Sequence, residues 1–288
     1  MVQIGDMSTP GHDRFLLAGV IGWPALHSRS PALHGYWLDH YGLAGAYLPL
    51  EISPERFAAA LRALPALGFA GCNLTMPHKE KALTLVDEAD EAARAIGAVN
   101  CITVGAGDRL TATNTDGYGL IAAIEAEVAD WRADRGPAVV IGAGGAARAI
   151  VFALAAEGAR EIRLVNRTRA RADELAQRIG GPIDVGEWAD RARLLDGAAL
   201  VVNTTSQGMV GQPALDLDLS RLPARALVCD IVYVPRVTPL LAGARARGNP
   251  TVAGLGMLLH QARPCWKLWF GIDPEVTPGL VAALEATF

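Results

Sequence analysis

Lysine is nearly missing from this chain: Lys79, Lys81 and Lys267 stand against twenty-three arginines in 288 residues. Basic surface positions have drifted to arginine, so a lysine that persists asks for a chemical reason. An ammonium can be brought into the working pH range by burial or by a neighbouring charge, and a guanidinium cannot. Cysteine is also scarce. Cys72, Cys101, Cys229 and Cys265 show no C-x-x-C spacing, which argues against a disulfide framework and a zinc ribbon and leaves reduced, structural thiols. The six histidines (His12, His27, His34, His40, His78 and His260) carry no H-E-x-x-H spacing, so no metal site is expected. No run of 18 or more apolar residues appears, and MVQIGDMSTPGHDRF lacks the apolar core of a signal peptide; a soluble cytoplasmic chain is expected. A net charge of -4 gives no general attraction to nucleic acid or to anionic membranes.

What is present is apolar residue, 51% of the chain, over a length that suits two domains with a core each. From Phe15 to about Thr115, short apolar segments (FLLAGVIG, AYLPLEI, GCNLTM, VNCITVG) alternate with Ala-rich amphipathic stretches such as SPERFAAALRALPAL, the pattern of an α/β layer. After the helical YGLIAAIEAEVADWRA, a second α/β unit runs through VVIGAG, IRLVNRT, ALVVNTTS and ALVCDIVY. Its near-continuous apolar runs predict a parallel sheet covered on both faces. The boundaries read as 1–115, completed by 256–288, and 116–255, with a hinge near Asn114 to Gly119. The closing helical segments would cap either unit on pattern alone. Trp266, Trp269 and Phe270 within them fit a dimer surface or, more commonly at that spacing, core.

The second unit opens on a strand, a glycine-rich turn and a helix. Gly142, Gly144 and Ala147 fit G-x-G-x-x-G/A, where small residues let the backbone bend, approach a pyrophosphate and pack helix on strand. Such a turn also occurs as an ordinary βα connection; the next strand decides. It ends in Asn166, Arg167 and Thr168, with Arg171 just beyond, where an NAD-binding site would place Asp or Glu. Guanidinium groups there suit a 2′-phosphate, so the cofactor expected is NADP(H). Arg169 reads as a solvated helix start.

Lys79 lies in GCNLTMPHKEK, where an apolar strand ends in a Pro-containing turn before a helix, a common place for a functional side chain. A water-exposed helix-start lysine also accounts for it, and that account suits Lys81 better. In ATNTDGYG, Asp116 stands at the proposed hinge. It reads as a helix N-cap or as a carboxylate facing a lysine of the first domain.

Together these residues closely resemble shikimate dehydrogenases over nearly the full length. IGWPALHSRSPALH is similar to the family segment whose two serines bind the substrate carboxylate, a role that falls to Ser28 and Ser30. NLTMPHK resembles N-[VL]-T-x-P-x-K, which implies Thr75 as a substrate contact and Lys79 as the catalytic lysine. GAVNC and NTDG imply that Asn100 and Asp116 touch ring hydroxyls, with Asp116 beside Lys79. Gln261 in GLGMLLHQA matches a glutamine that closes over the substrate, and Tyr233 in DIVYVPRVTPLL a tyrosine near substrate and nicotinamide. On the cofactor side the resemblance implies Gly142, Ala143, Gly144, Gly145, Ala146, Asn166, Arg167, Thr168, Arg171, Ile231 and Gly254 as contacts. Two positions depart: Gly35 follows His34 where many members have Asn, and Cys101 follows Asn100 where Thr is usual.

The resemblance implies an N-terminal substrate domain and a Rossmann-like NADP-binding domain, with C-terminal helices returning to the first. It implies reversible NADPH-dependent reduction of 3-dehydroshikimate to shikimate, on the route to chorismate and the aromatic amino acids, by a monomer or homodimer. A quinate/shikimate or aminoshikimate dehydrogenase of the same family is the near alternative, and a non-catalytic NADP(H)-binding sensor the distant one.

Overall fold

The computed structural model describes residues 15–288; residues 1–14 of the opening stretch, His12 among them, lie outside the described residues. The alternating apolar runs become two six-stranded sheets. In the first, β1 (Leu16–Gly22), β2 (Gly45–Glu51) and β3 (Gly71–Leu74) are parallel and joined by α1 (Ser30–His40) and α2 (Phe57–Ala63). Then come α3 (Lys79–Ala82), β4 (Glu88–Ala89), α4 (Glu91–Ile96), β5 (Cys101–Val104) and β6 (Leu110–Thr113), giving the order β2-β1-β3-β5-β6-β4. β5 runs antiparallel to both β3 and β6. This hairpin is the part of the layer that apolar alternation did not reveal. Its reversal rests on Gly107 and Asp108, both at positive φ (66° and 61°), a local backbone choice that an apolar pattern does not encode.

The second sheet follows α5 (Asp116–Glu127). It contains β7 (Ala138–Ile141), α6 (Gly145–Ala156), β8 (Ile162–Val165), α7 (Arg169–Ile179), β9 (Ile183–Gly186), β10 (Leu200–Asn203), β11 (Leu227–Asp230), α8 (Pro239–Ala246) and β12 (Thr251–Ala253). All its strand pairs are parallel, in the order β12-β11-β10-β7-β8-β9. Every residue of β7, β10 and β11 is buried because helices cover both faces. Val140, Val202 and Cys229 face Ile150 and Leu154 of α6; Val139, Val201 and Val228 face Leu240 and Leu241 of α8. The strand order reverses between β7 and β10, which opens a crevice at their C-terminal ends.

The chain then returns through α9 (Gly254–Phe270) and α10 (Pro278–Glu285). Glycine lets α9 lie close along α5: a Cβ on Gly119 would stand 2.6 Å from Gln261 Cβ and 2.8 Å from the Met257 carbonyl oxygen. Further along, Leu259, Ala262 and Trp266 pack with Leu33, Trp37 and Leu38 of α1 and with Leu280 and Leu284 of α10. Trp269 Nε1 donates to the Ile102 carbonyl at 2.8 Å. Trp266 and Trp269 are therefore core of the first sheet's side. Through α9 one helix touches both sheets, and the functional residues gather beside it.

Candidate active site

The turn after β3 delivers Lys79 as the first residue of α3. His78, just before it, is fixed by Nε2 bonded to the Ile52 carbonyl at 2.7 Å and by stacking on Phe57; partial burial lowers its pKa. From this anchored turn Lys79 Nζ donates to Asp116 Oδ2 at 2.5 Å, with the lysine and aspartate side chains 16% and 5% exposed. Asp116 is the first residue of α5, not its N-cap, because Thr115 occupies the cap position. Its other oxygen accepts from Asn100 Nδ2 at 2.8 Å, and its backbone N–H donates to Asn114 Oδ1 at 3.0 Å.

Asn100 is the hub. Its Nδ2 also lies 3.2 Å from Gln261 Oε1 and 3.0 Å from Thr115 Oγ1, while its Oδ1 accepts from the Thr115 N–H at 2.8 Å. Leu74 N–H donates to the Asn100 carbonyl at 2.8 Å, tying the hub to β3. Hence α3, the loop before β5, the start of α5 and the middle of α9 are locked into one constellation. Buried polar groups so fully paired hold fixed positions.

Ser28 and Ser30 stand at the start of α1, and Ser30 lies beside Tyr47, whose hydroxyl donates to Asn73, which in turn donates to the Asn100 carbonyl. Ser28 Oγ accepts from the Ser30 N–H at 3.2 Å, and Ser30 is buried. Thr75 packs its methyl against Gly22, where a Cβ would come within 2.3 Å. Tyr233 arrives from the second domain. Burial raises its phenol pKa, opposed by the Arg29 backbone and the Ser28 hydroxyl, which places it at the serine end. Arg29 itself turns to stack over Phe288 at 5.7 Å.

Across the interface lies the glycine turn. Gly142 has φ +117°, and a Cβ there would meet Thr204 Oγ1 at 2.4 Å, while beside Gly144 there is open space. Gly144 caps α6, a twelve-residue helix whose free N–H groups face that space. Ala143 is buried, and Gly145 and Ala146 open the helix. A Cβ on Gly145 would stand 3.2 Å from Lys79 Cδ, so the lysine stem runs directly over the helix start. Asn166 Nδ2 donates to the Thr168 carbonyl at 2.8 Å, shaping the turn that presents exposed Arg167. Gly254 is pressed on the Ile231 carbonyl, 2.3 Å from where its Cβ would stand, which closes the other side of the crevice. Arg169 pairs with Glu187 at 2.5 Å and with Asp173 at 3.4 Å. A small-residue cradle at a helix start, followed by an arginine cluster, fits a dinucleotide with a 2′-phosphate.

The family match covers both halves. The family described as "Shikimate dehydrogenase substrate binding domain" matches residues 20–102, and "Shikimate / quinate 5-dehydrogenase" matches 125–237. The chain belongs to the shikimate dehydrogenase family. It is 57% identical over 266 residues to shikimate dehydrogenase (NADP(+)) of Paramagnetospirillum magneticum, covering 92% of this chain and 96% of that protein. Among solved structures it is similar to shikimate 5-dehydrogenase of Thermus thermophilus in complex with NADP(H) and shikimate (34% identity, TM-score 0.85, 95% and 100% of the two chains). It is also similar to quinate dehydrogenase of Corynebacterium glutamicum in complex with NAD (31% identity, TM-score 0.85, 95% and 98%).

Within this family frame, the two departures are quiet. A side chain on Gly35 would meet nothing within 4 Å, and Cys101 is fully buried in β5. Among the described residues no group of three or more His, Cys, Asp or Glu is placed to hold a metal ion, and no helix is long and apolar enough to cross a membrane. Three residues here carry little mark in the sequence: Thr115 at the hub, and Glu80 and Arg148, which meet across the two domains at 3.9 Å. The only sequence signal for Arg148 was one charge inside the otherwise apolar GGAARAIVFALAA.

Proposed function

We propose that this chain catalyses the reversible, NADPH-dependent reduction of 3-dehydroshikimate to shikimate, a step toward chorismate and the aromatic amino acids. The observation that carries this reading is the Lys79–Asp116 pair at 2.5 Å, nearly buried and set against the start of α6. Residues 1–115 with 256–288 form the substrate domain and 116–255 the cofactor domain, and the enzyme works in the cytoplasm as a monomer or homodimer. Bound NADPH supplies the hydride.

Reduction of a ketone develops negative charge on its oxygen. Lys79 Nζ stabilises that charge and delivers the proton, and in the oxidative direction it removes the hydroxyl proton. Asp116 holds the ammonium in place and accepts from the adjacent ring hydroxyl. Asn100 and Gln261 orient the ring, Thr75 lines it, Ser28 and Ser30 bind the carboxylate, and Tyr233, beside Ser28, lies near both substrate and nicotinamide. On the cofactor, residues 142–146 would cradle the pyrophosphate, Asn166, Arg167, Thr168 and Arg171 would hold the 2′-phosphate, and Ile231 and Gly254 would border the nicotinamide. Excluding water from this cleft strengthens each of these polar contacts.

The test is nicotinamide absorbance with shikimate and NADP⁺, run beside NAD⁺ and beside quinate. Fast reduction of NADP⁺ with shikimate is expected, with quinate and NAD⁺ far slower. Turnover favouring quinate and NAD⁺ would move the chain to the quinate branch. No turnover with any pair, despite NADPH binding, would support a sensor instead.

A further inference from the structure

Glu80 follows Lys79 in α3, and its carboxylate faces the cofactor domain. One oxygen lies 3.5 Å from Arg171 Nη2 in the first turn of α7, and the other 3.9 Å from Arg148 Nη2 in α6. The two arginines differ in freedom. Arg148 is 3% exposed and already held by Glu174 at 2.8 Å, with its Nε lacking a partner among the described residues. Arg171 is 54% exposed, and among the described residues its ion-pair partner is Glu80. The guanidinium assigned to the 2′-phosphate is therefore engaged by a carboxylate of the opposite domain, one residue from the lysine that handles the proton.

We propose that Glu80 is an internal competitor for the 2′-phosphate and so a residue that sets the margin between NADP(H) and NAD(H). The inference rests on the 2′-phosphate reading of Arg171. A phosphate dianion and a carboxylate compete for the same fork of N–H donors, and the phosphate brings more charge and more acceptor oxygens. When Arg171 turns to the phosphate, Glu80 retains Arg148, whose buried charge gains from a second carboxylate. A cofactor without the 2′-phosphate leaves the Glu80–Arg171 bridge intact. The exchange thus links occupancy of the 2′-phosphate site to the helix that carries Lys79.

The probes are adenosine 2′,5′-bisphosphate and 5′-AMP, which share the adenosine and differ in the 2′-phosphate, titrated calorimetrically into the full chain. Glu80→Gln is nearly isosteric and keeps Arg148 on Glu174. It should bind adenosine 2′,5′-bisphosphate about two- to fivefold tighter, the range of half-exposed ion pairs, with 5′-AMP unchanged. The gain should shrink at high salt and vanish in Glu80→Gln/Arg171→Gln. Equal tightening of both probes, no tightening, or a gain that survives loss of Arg171 would overturn the proposal. The parent reading fails separately: if Arg171→Gln alone leaves the preference for the 2′-phosphate untouched, Arg171 is no phosphate ligand and the competition has no object.

Discussion

Lys79 occupies a position that arginine could not fill, because the proposed chemistry passes a proton through its Nζ while Asp116 holds it at 2.5 Å. We expect Lys79→Ala to lower kcat by about 10²-fold or more with a smaller change in KM, as befits loss of a group acting in the transition state. Steady-state kinetics with shikimate and NADP⁺ decide it: a loss confined to KM would leave Lys79 a binding residue. At the far end of the cofactor, exposed Arg167 should act through charge alone. Arg167→Ala is expected to weaken NADPH by about tenfold, the scale of one charge-assisted contact, and to leave NADH nearly unchanged. Equal losses with both cofactors, by fluorescence titration, would remove the 2′-phosphate assignment. Why Lys79 and Asp116 were legible in the sequence is chemical: a rare residue type and a carboxylate at a glycine-rich junction both mark special positions. Glu80 and Thr115 were not, since a glutamate in a short helix and a threonine before one are ordinary until folding sets partners beside them.

At the level of elements, the parallel cofactor sheet was readable because burial on both faces writes a continuous apolar run into each strand. The antiparallel β5–β6 hairpin was not, since four-residue strands fit either direction and the turn alone decides. The glycine turn after β7 is a place where one residue sets the geometry of two elements. Gly142 holds φ +117°, and Thr204 Oγ1, which a Cβ would strike, donates to the Ile141 carbonyl at 2.7 Å. Gly142→Ala must therefore strain the backbone and displace a bonded hydroxyl. A cost of about 1–3 kcal/mol is expected, read as a lower Tm, together with weaker NADPH binding and little change in shikimate binding. An unchanged Tm and cofactor affinity would mean that the turn is not held as described. A second brace sits at the end of β11. Asp230 accepts from Asn203 Nδ2 at 3.0 Å, Val232 N–H at 3.0 Å and Thr238 Oγ1 at 2.6 Å, so one carboxyl ties together the loops after β10 and β11.

Over the whole molecule, two buried titratable groups set opposite dependences of stability on pH. Burial raises the Asp230 carboxyl from its ordinary 3.8 to about 6, although three donors pull the other way. Its folded state prefers the proton, so its contribution is fully present below pH 3.8 and is lost as pH rises through about 6. His34 lies fully buried in α1, stacked on Tyr47 at 3.9 Å and near Trp37 and Trp266, with neither ring nitrogen hydrogen-bonded among the described residues. Desolvation lowers its pKa from 6.5 to about 3, although the nearby Asn73 side chain pulls the other way. Its contribution is present above pH 6.5 and is lost as pH falls toward 3. Between about pH 4 and 6 each group changes stability by up to ~1.4 kcal/mol per pH unit, in opposite directions, so in the wild type the two nearly cancel. Removing either should expose the other. Denaturant unfolding across this window should show His34→Phe gaining stability relative to wild type as pH falls, by up to about 3 kcal/mol in total, while Asp230→Asn loses a similar amount. The difference from wild type isolates each group, because the many exposed carboxylates are common to both proteins. Parallel curves for His34→Phe and wild type would mean that His34 is charged or solvated in the folded chain, and the tightly stacked core between α1 and α9 would then have to admit water.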